Sequence, residues 1–321
     1  MKNILITGGA GFIGSSLYKK LDHNRFNITI IDNFSDFYDI KQKLYNLNLS
    51  KRIEKNKKYK NIFNIDIRDK KNLEFFFNEK NIDLIIHFAA LPGVHQSNVK
   101  TRDYFQNNVF GSFNIFECAR KFNVKKMIFI SSSSVYGNNK KIPFKEIFLP
   151  SPISFYGFTK VEGENLAKFF SKNFGLDVLV LRLFTFYGPS QRPDLMLHKF
   201  FLNHFTGKQS VVFSQTERDF TYIDDGVEMI TRSIEYVEHL KGFDILNIGA
   251  SKPVKIEDVL RIIKKLIPNF KYVEEKRKSF DMKRTYADME KSKRILNYEP
   301  KIGIEEGIKR FYSWFKEYYK V

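Results

Sequence analysis

The sequence predicts an α/β protein in which a doubly wound parallel sheet is joined to a smaller mixed α/β domain. Two observations predict this class. Short apolar runs alternate with helical stretches through the first half of the chain, and strands separated by helices indicate βαβ crossovers. After about Leu183 this rhythm changes, and a loop-like stretch leads into shorter mixed elements.

Six apolar runs are the predicted strands of the sheet. In chain order they are NILITGG, FNITIID, YKNIFNID, DLIIHFAA, KKMIFISSSS and LDVLVLRLF. Segments such as NLEFFFNEK and YFQNNVFGSFNIFECARKF, which lie between them, have helical character. We therefore predict one domain over residues 1–183, with later segments at about 214–228 and 243–250 returning to it. Residues 184–321 mainly form the second domain.

Composition excludes some classes of protein and leaves others open. A chain of 321 residues with 43% hydrophobic content can bury a substantial core, which argues against disorder. The net charge of +18 is spread along the chain, which favours a lysine-rich surface over a nucleic-acid partner. The basic runs Lys51 to Lys60 and Glu274 to Arg284 are interpreted first as solvated faces. A positive field would also attract an anionic substrate.

The single cysteine, Cys118, has no partner for an internal disulfide or a shared metal, which fits a reducing compartment. Its neighbours predict a buried helical position. Glycines interrupt the apolar start of the chain, and no run of about 18 apolar residues occurs, so neither a signal peptide nor a membrane span is expected. We expect a cytoplasmic protein with no bound metal and no membrane partner.

A glycine-rich turn indicates where a dinucleotide binds. Gly8, Gly11 and Gly14 follow the first predicted strand at the start of a helix, where backbone N–H groups and the helix dipole can hold a pyrophosphate. Asp32 ends the next strand about twenty residues later and can accept hydrogen bonds from both adenosine ribose hydroxyls. This carboxylate would repel a 2′-phosphate, so the pattern predicts a Rossmann domain that binds NAD. The alternative is that the glycines serve only a tight turn.

Two further strand ends fit the same cofactor. Asp66 and Ile67 end the third predicted strand, and Ala89 and Ala90 end the fourth with small side chains at the sheet edge. From the residues alone, Asp66 as a simple turn residue is nearly as good an interpretation.

Tyr156 and Lys160 stand four residues apart in a helical stretch, so their side chains share one face. An ammonium beside a phenol stabilises the phenolate and makes it a usable base near neutral pH. Upstream, a strand delivers Ser131 to Ser134 at its carboxyl end, where a hydroxyl can contact a reacting substrate oxygen. Taken singly, a surface Tyr/Lys pair and a strand-end serine turn remain alternatives.

Together, TGGAGFIGS, Asp32, HFAA, SSSSVYG, the Tyr156/Lys160 pair and RLFTFYGP resemble the extended short-chain dehydrogenase/reductase family of nucleotide-sugar epimerases and dehydratases. The resemblance covers nearly the whole chain. It implies that Tyr156 is the acid/base, that Lys160 positions the cofactor ribose and tunes Tyr156, and that Ser132 contacts the sugar. Ser133 and Ser134 stand where dehydratases of the family place an acidic pair, which argues against elimination of water.

Other motifs resemble the UDP-glucuronate 4-epimerases more than the UDP-galactose 4-epimerases. They are DNFSDFYDIKQK, SSSSVYGNNKKIPF, GPSQRPDLMLHKF and RDFTYIDD. The resemblance implies that Arg192 holds a uronate carboxylate, which an arginine can grip with two parallel hydrogen bonds. A loop arginine paired with Asp194 is the plainer interpretation. The resemblance also implies UDP contacts by Thr185, Arg218 and Lys278.

The resulting hypothesis is an NAD-dependent 4-epimerase of a UDP-sugar, with UDP-glucuronate the preferred substrate and UDP-galacturonate the product. Its expected cofactor residues are Gly8, Gly11, Phe12, Ile13, Gly14, Asp32, Asn33, Asp66, Ile67, Ala89, Ala90, Asn108, Tyr156 and Lys160. Its expected substrate residues are Ser133, Ser134, Thr185, Arg192, Arg218, Lys278 and Asp281. Tyr156, Lys160 and Ser132 are the expected catalytic residues.

One loop departs from the family pattern. Where the family usually has Q-A-G-V-R-x-S, this chain has Leu91 to Ser97 with Pro92 and His95, so the identity of the sugar stays open. His95 is interpreted as a loop residue or, less favourably, as a new sugar contact. UDP-glucuronate decarboxylation and 4-epimerisation of UDP-glucose or UDP-N-acetylglucosamine are the alternatives. A non-catalytic NAD- or RNA-binding protein is the rival from another class.

Family members are commonly homodimers that pair two helices from each subunit. The matching segments here are YFQNNVFGSFNIFECARKF and FYGFTKVEGENLAKFF, whose apolar residues could equally cover the sheet. We expect a homodimer that acts in surface polysaccharide synthesis.

Overall fold

The structure is a computed structural model that describes residues 1–48 and 61–321. The basic run Lys51 to Lys60 and the first two residues of the predicted strand YKNIFNID lie outside these residues. Within the described ranges, no helix is both long enough and apolar enough to cross a membrane.

A seven-stranded parallel sheet forms the centre of the molecule, as the alternation of strands and helices predicts. Its spatial order is β10-β6-β5-β4-β1-β2-β3. The strands are numbered in chain order and comprise β1 (Lys2–Thr7), β2 (Phe26–Asp32), β3 (Ile62–Asn64), β4 (Leu84–His87), β5 (Lys126–Ser132), β6 (Asp177–Leu183) and β10 (Phe243–Ile248). The first six confirm the predicted strands, and β10 lies in one of the segments predicted to return.

Two smaller sheets are formed after the regular alternation of strands and helices ends near Leu183. A three-stranded sheet contains β7 (Thr185–Tyr187), β9 (Glu217–Tyr222) and β11 (Pro253–Lys255), and a two-stranded sheet pairs β8 (Ser210–Phe213) with β12 (Tyr272–Glu275). The segment at 214–228, which was predicted to return to the first domain, therefore contains a strand of a smaller sheet. The helix that follows this strand packs against the first helix of the chain, beside the central sheet.

The helices of the described residues cover the central sheet and build the second region. They are α1 (Phe12–Lys20), α2 (Ile40–Asn46), α3 (Lys70–Asn78), α4 (Val94–Ser97), α5 (Thr101–Tyr104), α6 (Ser112–Lys121), α7 (Phe155–Phe174), α8 (Met196–Phe205), α9 (Ile223–His239), α10 (Ile256–Leu266), α11 (Glu290–Leu296) and α12 (Ile304–Tyr319). A π-helical segment, Phe105–Gly111, joins α5 to α6, and a 3₁₀ turn, Ser133–Tyr136, follows β5.

The core has a layer on each face of the central sheet. Along β1, Ile4 and Ile6 point into one apolar layer and Leu5 points into the other, because successive side chains of a strand alternate. A parallel sheet covered on both faces needs apolar residues at consecutive positions, which explains the near-continuous apolar runs. Cys118 is buried in α6 as predicted, and burial raises the pKa of its thiol to about 12.

Candidate active site

One cavity of about 930 Å³ runs along the carboxyl ends of the central strands and continues between them and the second region. This volume is at the upper end of the range for small-molecule sites. The cavity lies at the sheet edge where open α/β sheets bind ligands. Most of the predicted site residues line it, including Gly8, Asp32, Tyr156 and Arg192.

The turn between β1 and α1 leaves no room for side chains. Gly8 has φ of +68°, and a Cβ there would lie 2.7 Å from the backbone nitrogen of Ala89. A Cβ on Gly14 would lie 2.7 Å from the carbonyl oxygen of Gly8. The α1 helix begins at Phe12 behind Gly11, which offers no side-chain cap. Free N–H groups at this helix start suit a pyrophosphate, so the turn fits the predicted dinucleotide.

Asp32 ends β2 on the cavity wall with its carboxylate held in place. Its Oδ2 accepts a hydrogen bond from the backbone N–H of Ala10 at 3.0 Å, and its Oδ1 accepts one from Phe34 at 2.8 Å. The ammonium of Lys43 lies 3.7 Å from the same Oδ1. A fixed carboxylate at the end of the second strand fits recognition of a ribose diol.

Tyr156 and Lys160 both reach the cavity from the first turns of α7. The side chain of Ser154 caps this helix by accepting a hydrogen bond from the N–H of Gly157 at 3.1 Å. Lys160 is buried and donates to the carbonyl of Ile130 at 2.8 Å, and its Nζ lies 5.9 Å from the centre of the Tyr156 ring. The predicted spacing therefore places a phenol and an amine side by side.

Burial controls the protonation of this pair. It lowers the pKa of Lys160 to about 8, against the charge of Glu164, which raises it. Burial also raises the pKa of Tyr156, although the positive charge of Arg192 and a hydrogen bond with Ser132 both act to lower it. Arg192 is therefore close enough to favour the phenolate form of Tyr156.

The serine run ends β5 directly beside the tyrosine, as predicted. Ser132, Ser133 and Ser134 all line the cavity. The Oγ of Ser132 accepts a hydrogen bond from the backbone N–H of Ser134 at 3.1 Å. The same Oγ also lies 3.1 Å from the side-chain hydroxyl of Ser134. Ser131 turns away from this arrangement and donates to the carboxylate of Glu164 at 2.6 Å.

Arg192 lines the same cavity as the serines and forms a bidentate pair with Asp194. Its Nε lies 2.9 Å from Oδ1 and its Nη2 lies 3.0 Å from Oδ2. The plainer interpretation of this arginine, a pair with Asp194, is therefore present in the structure. The pair uses one edge of the guanidinium, and within residues 1–48 and 61–321 no hydrogen bond is formed by Nη1. A second edge is thus available to an anion in the cavity.

Three more of the predicted substrate residues, Thr185, Arg218 and Asp281, also line the cavity. Arg218 on β9 donates to the carboxylate of Asp281 at 2.9 Å, and both residues line the cavity together with Thr185. His95 lines the same region and forms a stack with Phe213, in which the ring centres are 5.6 Å apart. The edge of Phe280 meets the His95 ring at 5.0 Å.

Three predicted residues do not line the cavity. Asp66 accepts three hydrogen bonds from Arg68, one of them from its backbone N–H, and one from Asn33, and these outweigh burial to lower its pKa to about 2. Lys278 is exposed on the loop outside the cavity wall. The amide of Asn108 is used internally, since it bonds both backbone groups of Leu91.

The neighbouring asparagine, Asn107, faces the cavity. Asn107 lines the cavity, and its Nδ2 donates to Asn108 at 3.1 Å. Both residues belong to the π-helical segment Phe105–Gly111, where a wider turn shifts the direction of each side chain relative to an α-helix. If this stretch is assumed to be an α-helix, the side-chain directions of Asn107 and Asn108 are therefore not predicted correctly.

The cavity also contains residues that the sequence prediction did not include. Among them are Tyr38, Lys43, Asp194 and Phe213. Tyr38 and Lys43 belong to the segment DNFSDFYDIKQK after β2, so the resemblance of this segment and its nearness to Asp32 were the available signals.

Comparisons with known proteins agree with this site. Residues 4–249 match the family model described as the NAD dependent epimerase/dehydratase family. The chain belongs to this family, whose members depend on NAD, and the predicted enzyme class and cofactor are confirmed.

Similar proteins cover almost the whole chain. A UDP-glucuronate 4-epimerase of Thermodesulfobacterium geofontis is 35% identical over 98% of this chain and 96% of its own length. An uncharacterised protein of Methanocaldococcus jannaschii is 42% identical over 98% of this chain and 97% of its own. The crystal structure of the UDP-glucuronic acid 4-epimerase of Bacillus cereus, in complex with UDP-glucuronic acid and NAD, has a TM-score of 0.90 at 32% identity. The match extends over 100% of that chain and 99% of this one. The predicted similarity to these epimerases is therefore confirmed.

Proposed function

We propose that this protein is a UDP-glucuronate 4-epimerase that forms UDP-galacturonate. The observation that carries the proposal is the Arg192–Asp194 pair, which places a guanidinium in the same cavity as Tyr156 and the three serines. The similar UDP-glucuronate 4-epimerases support the same substrate.

Arg192 suits a uronate better than a neutral sugar. A neutral hydroxymethyl group gives a guanidinium no charge to pair with, whereas a carboxylate accepts two parallel hydrogen bonds. Asp194 occupies one edge of the guanidinium and fixes its plane, which leaves the other edge for the sugar carboxylate. A carboxylate held in this way is also kept in one orientation, and this opposes loss of carbon dioxide from the 4-keto intermediate.

The chain supplies proton transfer and orientation. Bound NAD supplies reversible hydride acceptance at C4 of the sugar, and the glycine turn with Asp32 would hold it. Tyr156 accepts the O4 proton as C4 is oxidised to the ketone. It returns that proton when C4 is reduced from the opposite face, so the configuration inverts and the substrate mass is unchanged. Lys160 stabilises the phenolate of Tyr156, and Ser132 contacts the sugar oxygen.

The remaining residue assignments follow the cavity. Gly8, Gly11, Phe12, Ile13, Gly14, Asn33, Ile67, Ala89, Ala90 and Asn107 form the proposed cofactor wall. Ser133, Ser134, Thr185, Arg218 and Asp281 form the proposed nucleotide-sugar wall. Residues 1–183 with β10 then form the NAD-binding domain, and residues 184–321 mainly hold the nucleotide sugar.

The direct test incubates the purified protein with UDP-glucuronate and catalytic NAD and separates the products by chromatography with mass detection. We expect a new peak of unchanged mass that is identified as UDP-galacturonate. A product lighter by carbon dioxide would replace the proposal with a decarboxylase. Turnover of UDP-glucose or UDP-N-acetylglucosamine alone would replace it with a neutral-sugar epimerase, and salt-sensitive RNA binding without turnover would replace it with a binding protein.

Two variants test the residue roles. Tyr156→Phe should lower turnover by about 10²–10⁴-fold, because proton transfer is lost. Arg192→Leu should weaken UDP-glucuronate binding far more than UDP-glucose binding. Arg261→Leu is a matched control, since Arg261 is exposed on α10 and pairs there with Asp258. Equal effects of both arginine changes would contradict the carboxylate assignment.

We also propose a cytoplasmic homodimer without a nucleic-acid or membrane partner. Aromatic side chains on the π-helical segment, α6 and α7 are partly exposed on one side of the protein, among them Phe105, Phe110 and Phe169, whose exposed fractions are 45%, 52% and 54%. Apolar surface of this kind favours association with a second copy. Light scattering during gel filtration should give a dimer mass, and Phe110→Glu should shift it to the monomer. A wild-type monomer would contradict the proposal.

A further inference from the structure

Helix α2 lies between the two ends of the cavity that recognise charge. One of its faces is turned toward Asp32 at the cofactor end. The adjoining face contacts the loop of residues 188–192, which carries Arg192. A single short helix thus touches both the ribose-binding carboxylate and the loop that presents the proposed carboxylate-binding arginine.

The contact with the arginine loop is made by two buried amides. Gln42 is 2% exposed, and its Nε2 donates to the carbonyl oxygen of Gln191 at 2.9 Å. Asn46 is fully buried, and its Nδ2 donates to the carbonyl oxygen of Ser190 at 3.2 Å. These residues stand four apart, so they share one face of α2. Both therefore hold the backbone immediately before Arg192.

The loop itself depends on such support. Ser190 has φ of +69°, a left-handed conformation that residues other than glycine seldom adopt. The carbonyl oxygen of Gln191 also lies 2.9 Å from Nδ1 of the buried His198. Strain of this kind persists only when surrounding contacts over-determine the backbone, and α2 provides two of those contacts.

The other face of α2 meets the cofactor end. Lys43 is 5% exposed, its Nζ lies 3.7 Å from Oδ1 of Asp32, and it lies 5.2 Å from the centre of the Tyr38 ring. Tyr38 lines the cavity between Asp32 and Arg192. The helix is therefore held at both ends of the site, so it cannot shift at one end without affecting the other.

We infer that Gln42 is a positioning residue for substrate selection: by holding the carbonyl of Gln191, it aims the guanidinium of Arg192 at the sugar carboxylate. This inference rests on the proposed function. It assigns to a side chain outside the cavity wall a share of the discrimination between charged and neutral sugars. Removing the Gln42 donor takes away one of the contacts that hold the strained loop, so the loop relaxes and Arg192 moves without a change in the residues that touch substrate.

The test measures the affinities of UDP-glucuronate and UDP-glucose by calorimetry on NAD-loaded protein, in a Tyr156→Phe background that prevents turnover. Gln42→Leu removes the donor at similar volume, and Lys41→Leu on the exposed side of α2 is the control. We expect Gln42→Leu to weaken UDP-glucuronate binding about tenfold, the size of one lost buried hydrogen bond. The affinity of the Gln42→Leu protein for UDP-glucose should change less than about twofold. Both affinities of the Lys41→Leu protein should also change less than about twofold, which is the range of neutral surface substitutions.

Arg192→Leu separates the possible results. If it abolishes the preference for UDP-glucuronate and Gln42→Leu does not, or if Gln42→Leu weakens both sugars equally, the inference is overturned and the proposed function stands. If wild type shows no preference and Arg192→Leu changes nothing, the proposed function fails, and the role of Gln42 fails with it. Gln42→Met replaces Gln42→Leu if the latter does not fold, as judged by its melting curve.

Discussion

Replacing Arg182 by methionine should destabilise the protein because it leaves a buried carboxylate without its partner. Arg182 is 2% exposed and Glu164 is 6% exposed. Two hydrogen bonds of 3.0 and 2.7 Å join them, and they connect β6 to α7 one turn beyond Lys160. Removing one partner of such a buried pair typically costs about 3–5 kcal/mol.

The expected shift in melting temperature follows from chain length. An unfolding entropy of about 2.1 cal/mol/K per residue gives about 0.7 kcal/mol/K for a chain of 321 residues. The free-energy loss then corresponds to a fall of roughly 4–7 °C. Scanning calorimetry at pH 8 measures it directly.

A second substitution at the partner residue identifies the cause. The double variant Arg182→Met/Glu164→Gln should recover part of the loss, because it removes the unpaired charge. A melting temperature unchanged in Arg182→Met, or a double variant less stable than the single one, would refute the reasoning.

Three other predictions follow from contacts in the site and core. Gly14→Ala should sharply lower NAD affinity in a binding titration, because its Cβ would press on backbone, whereas Gly303→Ala, where a Cβ would meet nothing within 4 Å, should bind normally. Burial lowers the pKa of Lys160 to about 8, so kcat/KM should fall as the pH rises through 8 and the ammonium is lost, and Lys160→Arg should move that fall to higher pH. The buried Cys118, whose pKa burial raises to about 12, should resist a thiol reagent at pH 8 in the folded protein and react fully in denaturant.

The cofactor half of the site could be predicted from the sequence because it depends on backbone geometry. Gly8 and Gly14 occupy positions where the structure leaves no space for a Cβ, and such positions restrict the residue type directly. Asp32 follows from the length of one βα unit. Tyr156 and Lys160 follow from helical spacing, which the structure preserves.

The substrate half was less accessible to sequence reasoning because its residues come from loops and short strands. On the cofactor side, Asn107 and not the expected Asn108 lines the cavity from the π-helical segment, and a change of helix type over one turn leaves no periodic signal in the sequence. The support of Arg192 by Gln42 joins residues about 150 positions apart, and no local pattern reports such a contact. Resemblance alone predicted Lys278, and its side chain is exposed on a loop that brings Asp281 to the cavity.

The position of β10 has a consequence for synthesis of the protein on the ribosome. This strand pairs with β6 over six residues, although the chain between Leu183 and Phe243 builds part of the second region first. Until residue 248 has emerged, the nascent chain carries an apolar β6 with one row of backbone groups unpaired, a natural template for other nascent chains. A polypeptide stopped at residue 183 should therefore be recovered in the insoluble fraction or bound to a chaperone, even though it contains the entire glycine turn.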